Sequence, residues 1–384
     1  MKKSLFVLFI AVLAFSMVFV SCKSEPTPVD TGDDGFLHVS TFAEFIKGLS
    51  SAKKIESKTL VLDADIEWDA VKYPGGGDNV KVDETYTTKT GASVQLKQVA
   101  RLNDNSLSID VTGLTIDLGG HTISGVPKNA FNLTGNSFTL KNGSILSGAG
   151  NDRYSININY NGSNASTSNG LKEVALDKTP ASYSDTDAMW KKRVIVDNIT
   201  ATSMLCGYTT VEIKNCTFTG STYRGLVLQG SSGTVENVTV DVPDASSAGF
   251  VAHSYDTVLV KGTNSFKGAF GIYAPMCSKL IIDSSAVVTA TGAKTYAFYL
   301  ETQGNITINS GATVTLVPAA DKATFYMRTG TTIDIAAGAV LKDSAGTAIA
   351  KPIPAAAIDS TGNGASDNAW KGYGVAPAIT DNRT

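Results

Sequence analysis

The chain has 384 residues, a formal net charge of −3, 17% charged residues and 36 glycines. A mildly acidic chain without a basic run excludes nucleic acid as the expected partner. Its four cysteines are too few and too unevenly spaced for a disulfide framework or a zinc site. Few charges and frequent glycine favour a β-rich fold.

The N-terminal end predicts a secretory signal peptide over residues 1–21. Two lysines precede an apolar run from Leu5 to Val20, which is short for a membrane-spanning helix. The segment Phe19-Val-Ser-Cys22 then resembles a bacterial lipobox, in which the signal is cleaved before a cysteine that carries lipid. We therefore expect lipidation at Cys22 and a flexible tether over residues 22–35, with simple secretion as the alternative.

A short capping helix is predicted next. Thr41 and Glu44 have the spacing of a capping box, which opens a helix. The apolar side chains that share one face of this helix are Phe42, Phe45, Ile46 and Leu49. That face would cover the first coil of the domain that follows.

A repeated segment determines the predicted architecture. It reads apolar, charged, Asn, any residue, Ser or Thr, then small or apolar. Clear copies begin at Leu140, Val196, Ile213 and Val235, and looser copies at Val260, Ile282, Ile308 and Ile335. From Ile213 onward the copies are 22 to 27 residues apart, a period typical of one coil of a parallel β-solenoid. The shared asparagines predict a ladder of side chains at one corner of the coils, formed by Asn142, Asn198, Asn215 and Asn237.

Each coil is expected to contain a second strand, 11 to 15 residues after the first. Alternation along these strands predicts one inward column: Leu226, Phe250, Ile272, Phe298 and Phe325. It predicts two outward columns, first Val227, Val251, Tyr273, Tyr299 and Tyr326, and then Gln229, His253, Pro275, Glu301 and Arg328.

The spacing also predicts where the coils are interrupted. We expect one excursion at about residues 73–105, which begins with Pro74-Gly-Gly-Gly77, and another at residues 147–192, where strand patterning is poor. The step of 17 residues from Val196 to Ile213 is short for a coil and suggests that one copy is out of register. The solenoid domain is assigned to residues 36–343, and residues 344–384 to a C-terminal cap or tail.

The asparagine corners and the segment Leu114–Ile123 resemble the pectate-lyase-like superfamily over about residues 58–343. That resemblance implies an all-β, single-stranded right-handed parallel β-helix with a short N-terminal capping helix. Lyases of this superfamily use an Arg or Lys base with Ca²⁺-binding carboxylates, and its hydrolases use clustered aspartates. The lyase motif Arg-x-Pro-x-x-Arg and the hydrolase motif Gly-His-Gly are absent, so no catalytic residue is assigned.

The outward columns supply the candidate ligand-binding residues: Tyr273, Tyr299, Tyr326, His253, Glu301 and Arg328. Aromatic rings beside polar groups suit a sugar, because rings stack on C–H faces while polar groups bond to hydroxyls. The alternative is that the tyrosines only stabilise the sheet. Arg224 is a further candidate without a partner that the sequence identifies.

An acidic segment and two cysteines could indicate a metal site and a disulfide, but we favour a structural explanation for both. Alternation places Asp63, Asp65, Glu67 and Asp69 on one face, where Ca²⁺ would be the fitting cofactor. The spacing fits no defined Ca²⁺-binding loop and a solvated face explains them better, so no metal site is assigned. Cys216 replaces core-facing residues of neighbouring copies and is expected to be a buried thiol, with a Cys206–Cys216 disulfide as the alternative.

The sequence therefore predicts a lipid-anchored protein of the bacterial cell envelope, at the outer membrane, facing the periplasm or the cell surface. Its expected role is non-catalytic, adhesin-like binding of a polysaccharide or of an envelope or host surface component. A divergent polysaccharide lyase or glycoside hydrolase is the first alternative, and a purely structural surface protein is the second.

Overall fold

The computed structural model describes residues 31–75, 80–87, 93–101, 107–109, 111–127, 131–133, 137–149, 154–159, 163–164, 193–207, 210–229, 231–253, 257–275, 278–301, 304–361 and 376–384. The predicted signal peptide, the lipid attachment point at Cys22 and most of the tether lie outside these ranges. Among the described residues, no helix has both the length and the apolar character needed to span a membrane.

Within these ranges the chain forms one α-helix, α1 (Phe42–Ser51), two 3₁₀ turns (Ala52–Lys54 and Ala355–Ala357) and 33 strands. The strands up to the middle of the chain are β1 (Leu37–Val39), β2 (Thr59–Leu62), β3 (Ile66–Glu67), β4 (Val80–Thr87), β5 (Ser93–Arg101), β6 (Leu107–Ile109), β7 (Thr115–Asp117), β8 (Thr122–Val126), β9 (Phe131–Leu133), β10 (Phe138–Ser147), β11 (Ile156–Asn159), β12 (Ser163–Asn164), β13 (Arg193–Ala201), β14 (Met204–Gly207), β15 (Thr210–Lys214), β16 (Thr217–Thr219) and β17 (Leu226–Gln229). The remaining strands are β18 (Ser232–Glu236), β19 (Thr239–Asp241), β20 (Ala248–His253), β21 (Val258–Lys261), β22 (Thr263–Gly268), β23 (Phe270–Ala274), β24 (Lys279–Ile282), β25 (Val287–Gly292), β26 (Phe298–Leu300), β27 (Asn305–Ile308), β28 (Thr313–Val317), β29 (Phe325–Met327), β30 (Thr332–Ile335), β31 (Val340–Lys342), β32 (Ile358–Asp359) and β33 (Ala378–Asp381).

A typical coil contains three strands, where the sequence predicted two. In one coil β15, β16 and β17 follow each other, and Asn215 separates the first two. In the next coil these strands pair in parallel with β18, β19 and β20 respectively, which defines a first, a second and a third face. The predicted single strand is divided because Asn215 adopts a left-handed backbone, with φ 55°, and turns the chain.

Strands repeat in parallel along each face, and the chain forms an all-β, right-handed parallel β-solenoid of about 9 turns. The third face is a ten-stranded sheet in the order β6-β9-β11-β14-β17-β20-β23-β26-β29-β32. A helix, α1, lies near the N-terminal end. The predicted fold class is therefore confirmed.

The interior is built from columns of apolar side chains. The predicted inward register is confirmed: Leu226 pairs with Phe250, Phe250 with Ile272, Ile272 with Phe298 and Phe298 with Phe325. All five side chains are fully buried. Each Å² of apolar surface removed from water contributes roughly 25 cal/mol to stability. In these columns that surface is covered by the coils above and below, so each coil is stabilised mainly by its neighbours.

Helix α1 begins as the sequence predicted. The amide of Glu44 donates to the hydroxyl of Thr41 at 3.2 Å, and the amide of Thr41 donates to the carboxylate of Glu44 at 3.2 Å. Phe45 and Leu49 are buried in the core at this end, with Phe42 and Ile46 partly buried beside them. The amphipathic face therefore packs against the first coil.

The short step between two copies of the repeat is a complete coil, so the suspected shift of register is wrong. Val196 of β13 pairs directly with Ile213 of β15. The coil is short because two residues separate β13 from β14 and two more separate β14 from β15. In the following coil, six residues separate β16 from β17, so that coil takes the usual 22 residues and the shorter step looked out of register.

The two excursions contribute to a separate small sheet. In the first, β4 and β5 pair in an antiparallel hairpin, and β12 from the second pairs antiparallel with β5. The second excursion is shorter than the predicted 147–192, because β11 lies inside that range and belongs to the third face. Residues 165–192 are outside the described ranges.

The C-terminal segment assigned to a cap or tail adds strands to the solenoid. Strand β32 pairs with β29 on the third face, and β33 pairs with β30 on the first. Arg383 is 7% exposed and donates to the carbonyl oxygens of Ile349 and Ala350 at 2.8 and 3.0 Å. These bonds hold the chain end against the last coil, while Trp370 and Tyr373 lie outside the described residues.

The second and third faces meet at a corner where two backbones almost touch. A Cβ atom on Gly268 would lie 2.1 Å from the amide nitrogen of Gly249, and one on Gly249 would lie 2.7 Å from the backbone of Lys267. Because the nearest atoms are backbone, no side-chain movement would relieve such contacts. This corner therefore requires glycine at both positions.

Two cysteines of the central coils are buried and are not joined by a disulfide. Cys206 lies on the third face, whereas Cys216 lies between the first and second faces. Burial raises the pKa of the Cys216 thiol to about 12. Cys216 thus stays a neutral core side chain at physiological pH.

Candidate functional site

Three tyrosines form a column on the outer side of the third face. Strand pairing places Tyr273 beside Tyr299, and Tyr299 beside Tyr326. Val251 precedes them in the same column. Each strand pair is in register, so alternation puts the hydroxyphenyl groups on the same side of the sheet at the spacing of adjacent strands. We call Tyr273, Tyr299 and Tyr326 the tyrosine column.

The rings of the column pack on one another and on two further aromatic residues. Tyr299 stacks on Tyr326 with centroids 4.5 Å apart and planes at 17°, and Tyr273 meets Tyr299 edge-on at 5.3 Å. Phe270 stacks on Tyr299 at 4.7 Å, and Tyr296 lies 5.1 Å from Tyr326. The five rings together are the aromatic patch.

Sequence reasoning missed Phe270 and Tyr296. They share one position in adjacent coils, two residues before the inward Ile272 and Phe298. Strict alternation would point this position into the core, but the chain bends at the corner and the rings pack outside instead. An aromatic residue two positions before the inward residue in two successive coils was the signal that could have identified them.

Polar groups border the patch. Glu301 accepts hydrogen bonds from the hydroxyls of Tyr273 and Tyr299, the second at 3.4 Å. Arg328 lies 3.7 Å from the same carboxylate and donates to the Tyr326 hydroxyl at 3.4 Å. About a quarter of each charged side chain, 28% for Arg328 and 25% for Glu301, stays exposed.

The tyrosine hydroxyls are hydrogen-bond donors rather than bases. Burial, followed by the charge of Glu301, raises the pKa of Tyr273 well above its ordinary value. The same two causes raise the pKa of Tyr299. Both hydroxyls therefore stay protonated at neutral pH and hold Glu301 in place.

Of the predicted binding residues, His253 is not at the surface. Its side chain is 5% exposed, and burial with the nearby charge of Arg224 lowers its pKa to about 4. The outer side of the face is covered here, because Leu205, Val227 and Val251 form a second buried cluster with Tyr154 and Ala248. Exposure in the tyrosine column is also uneven: Tyr273 and Tyr299 are half-buried, while Tyr326 is 9% exposed.

The asparagines predicted as a ladder share one corner and one conformation, with φ between 54° and 60°. Asn198 donates to Asn142 and Asn237 donates to Asn215, each at 3.3 Å. Asn215 donates to Asp197 at 3.0 Å instead of to Asn198, which divides the row into two pairs. These side chains are engaged in joining coils and turning the chain.

Of the acidic residues Asp63, Asp65, Glu67 and Asp69 near the first coil, the three aspartates bond to different partners. Asp63 bonds to His38 at 2.9 Å, Asp65 accepts from the amide of Thr122 at 2.9 Å, and Asp69 accepts from the amide of Lys72 at 3.0 Å. In the described part of the chain, no three His, Cys, Asp or Glu side chains are grouped to hold a metal ion.

Comparison with known proteins adds one match. A family model described as a right-handed beta helix region matches residues 198–315, which span the coils from β13 to β28. No curated protein matches the chain. No solved structure matches it either.

Proposed function

We propose that this right-handed β-helix is a lipid-anchored protein of the bacterial envelope that binds a polysaccharide, or another envelope or host surface component, on its aromatic patch without cleaving it. The observation that carries the proposal is the half-buried pair Tyr273 and Tyr299, bordered by Glu301 and Arg328. Rings give a sugar its apolar contact, and the charged border bonds to hydroxyls.

Binding is favoured over catalysis by the state of the groups at the patch. Glycoside hydrolysis needs two carboxyl groups, one of which donates a proton. Asp359 accepts from the Tyr296 hydroxyl at 2.5 Å, and this bond lowers the pKa of the Asp359 carboxyl. Glu301 is engaged by Tyr273, Tyr299 and Arg328. The lowered pKa of Asp359 does not suit a general acid at neutral pH.

Removing one ring tests the binding face. Acidic and neutral polysaccharides are screened for binding and for cleavage products, with and without Ca²⁺. We expect binding without cleavage, and Tyr299→Ala to weaken it about tenfold, because one aromatic contact is worth about 1.5 kcal/mol. Tyr299→Phe keeps the ring and should bind nearly as tightly as the wild type.

Val287→Ala is the matched control, since Val287 is an exposed apolar residue of β25 on the second face. It should leave affinity unchanged. Equal affinity of Tyr299→Ala and wild type would move the binding face elsewhere. Cleavage products lost in Glu301→Gln would replace the proposal by the lyase or hydrolase alternative. If neither binding nor cleavage products were found, the alternative of a purely structural surface protein would be favoured.

The anchor has its own test. We expect Cys22→Ser to shift the protein from the membrane fraction to the soluble fraction and to abolish palmitate labelling, because buried acyl carbons contribute about 0.8 kcal/mol each to membrane affinity. Cys277→Ser is the control for the loss of a cysteine and should fractionate as the wild type does. A labelled, membrane-bound Cys22→Ser protein would be inconsistent with the lipidation proposal.

A further inference from the structure

Arg224 lies at the corner before β17, on the same outer side as the aromatic patch. Its side chain is half-buried. The Nε group donates to the hydroxyl of Ser247 at 3.2 Å, and the guanidinium carbon lies 4.8 Å from the ring centroid of Tyr223. Tyr154 is packed beside Tyr223, with ring centroids 6.2 Å apart, and also bonds to Arg224. The guanidinium is thus held by rings and hydroxyls.

Among the described residues, the groups nearest this cation are neutral. His253 is buried beside it and, with a pKa of about 4, is uncharged at pH 7. Tyr273 is close enough for its pKa to be lowered by Arg224, although burial and Glu301 raise it more. Glu301, the carboxylate that borders the patch, is paired with Arg328. Among the described residues, no ion pair involves Arg224.

A half-buried guanidinium without a carboxylate is costly, because the charge loses hydration and gains no opposite charge. Arginine carries five N–H donors in a planar fork that fits a carboxylate or sulfate group with two parallel bonds. The described acceptors, Ser247 and Tyr154, use only part of that capacity. An external anion would complete the site.

We propose that Arg224 binds an anionic group, a carboxylate or a sulfate ester, carried by the ligand of the aromatic patch. This inference rests on the proposed function, because Tyr273 of the patch packs against the same outer cluster as Tyr223, the ring beneath Arg224. The tyrosine rings take the sugar faces, and Arg224 selects ligands with an acidic substituent. The ligand is then an acidic glycan, and Arg224 recognises its negative charge at one end of the patch.

The test compares one polymer backbone in three charge states: dextran, carboxymethyl-dextran and dextran sulfate. The full chain in detergent is measured at fixed ionic strength. We expect the wild type to bind a charged polymer about tenfold or more tightly than dextran, and Arg224→Gln to lose that preference while keeping its affinity for dextran. Whether the carboxylated or the sulfated polymer binds more tightly identifies the source of the anion.

Two variants control for folding and for overall charge. Arg224→Lys keeps the charge but not the fork and should retain a smaller preference. Arg193→Gln removes an exposed arginine, paired with Glu212 at 2.9 Å on the first face, and should retain the full preference. A wild-type preference that persists in Arg224→Gln, or equal loss in Arg193→Gln, would overturn the inference.

A second measurement separates this inference from the proposed function. Thermal unfolding is followed in sodium sulfate or sodium acetate, against sodium chloride of equal ionic strength. Sulfate and acetate raise the unfolding midpoint of any protein to some extent, so an anion site predicts a larger rise for the wild type than for Arg224→Gln. This result supports the site even if no polymer binds. Equal midpoint shifts in both proteins contradict it, while dextran binding that depends on Tyr299 leaves the proposed function standing.

Discussion

Replacing Phe298 with alanine is expected to lower the free energy of unfolding by about 3–5 kcal/mol. Phe298 is fully buried in β26, pairs with Ile272 and Phe325 on either side, and meets the Phe325 ring edge-on at 5.9 Å. Its removal leaves an enclosed cavity in the middle of a column. Because each coil depends on its neighbours, both adjacent coils lose support.

The measurement is urea unfolding followed by circular dichroism, with Phe270→Ala as the matched control. Phe270 is also a phenylalanine of the third face, but it lies outside the core and is half-buried. Its loss opens no enclosed cavity and should cost about 1 kcal/mol. If both variants lost the same stability, the inward and outward columns would have been assigned wrongly.

The second large effect is expected at the corner between the second and third faces. Gly268→Ala should destabilise the protein by about 3 kcal/mol, because the new Cβ would lie 2.1 Å from the amide nitrogen of Gly249 and 2.6 Å from the carbonyl carbon of Ala248. Those atoms belong to β20, whose backbone is fixed by pairing with β17 and β23. The new Cβ atom can therefore be accommodated only if the whole of strand β20 is displaced.

Gly220→Ala separates crowding from backbone strain. Gly220 has φ 85°, and a Cβ atom there would meet nothing within 4 Å. Only the left-handed conformation opposes alanine, which should cost about 1 kcal/mol. Thermal or urea unfolding of both variants checks the difference. A Gly268→Ala protein as stable as Gly220→Ala would show that the two backbones have room to separate.

The coil register was predictable because it depends on local alternation. Leu226, Phe250 and Phe325 were placed inward from sequence alone, and strand pairing confirms the column. The number of strands in each coil was not predictable in this way. Apolar residues alternate on both sides of Asn215, so only its left-handed backbone shows that the strand is divided.

Positions in a column could be predicted, but their exposure could not. His253 lies outward as expected, yet it is 5% exposed. Its surroundings include Arg224, which lies a full coil earlier in the sequence. Alternation describes the direction of a side chain relative to its own strand and contains no information about what packs over that strand. The same reason explains why the neutral groups that surround Arg224 among the described residues were found only in the structure.

The stacking of coils determines how the molecule would respond to mechanical load. Strand β1 pairs with β2 in the first coil, and β33 pairs with β30 in the last, so the two ends of the described chain lie at opposite ends of the solenoid. A pull between them runs along the hydrogen bonds that join successive coils. Each coil is held by its immediate neighbours, so these rows are loaded one after another. Under tension the protein is therefore expected to lengthen in steps of one coil.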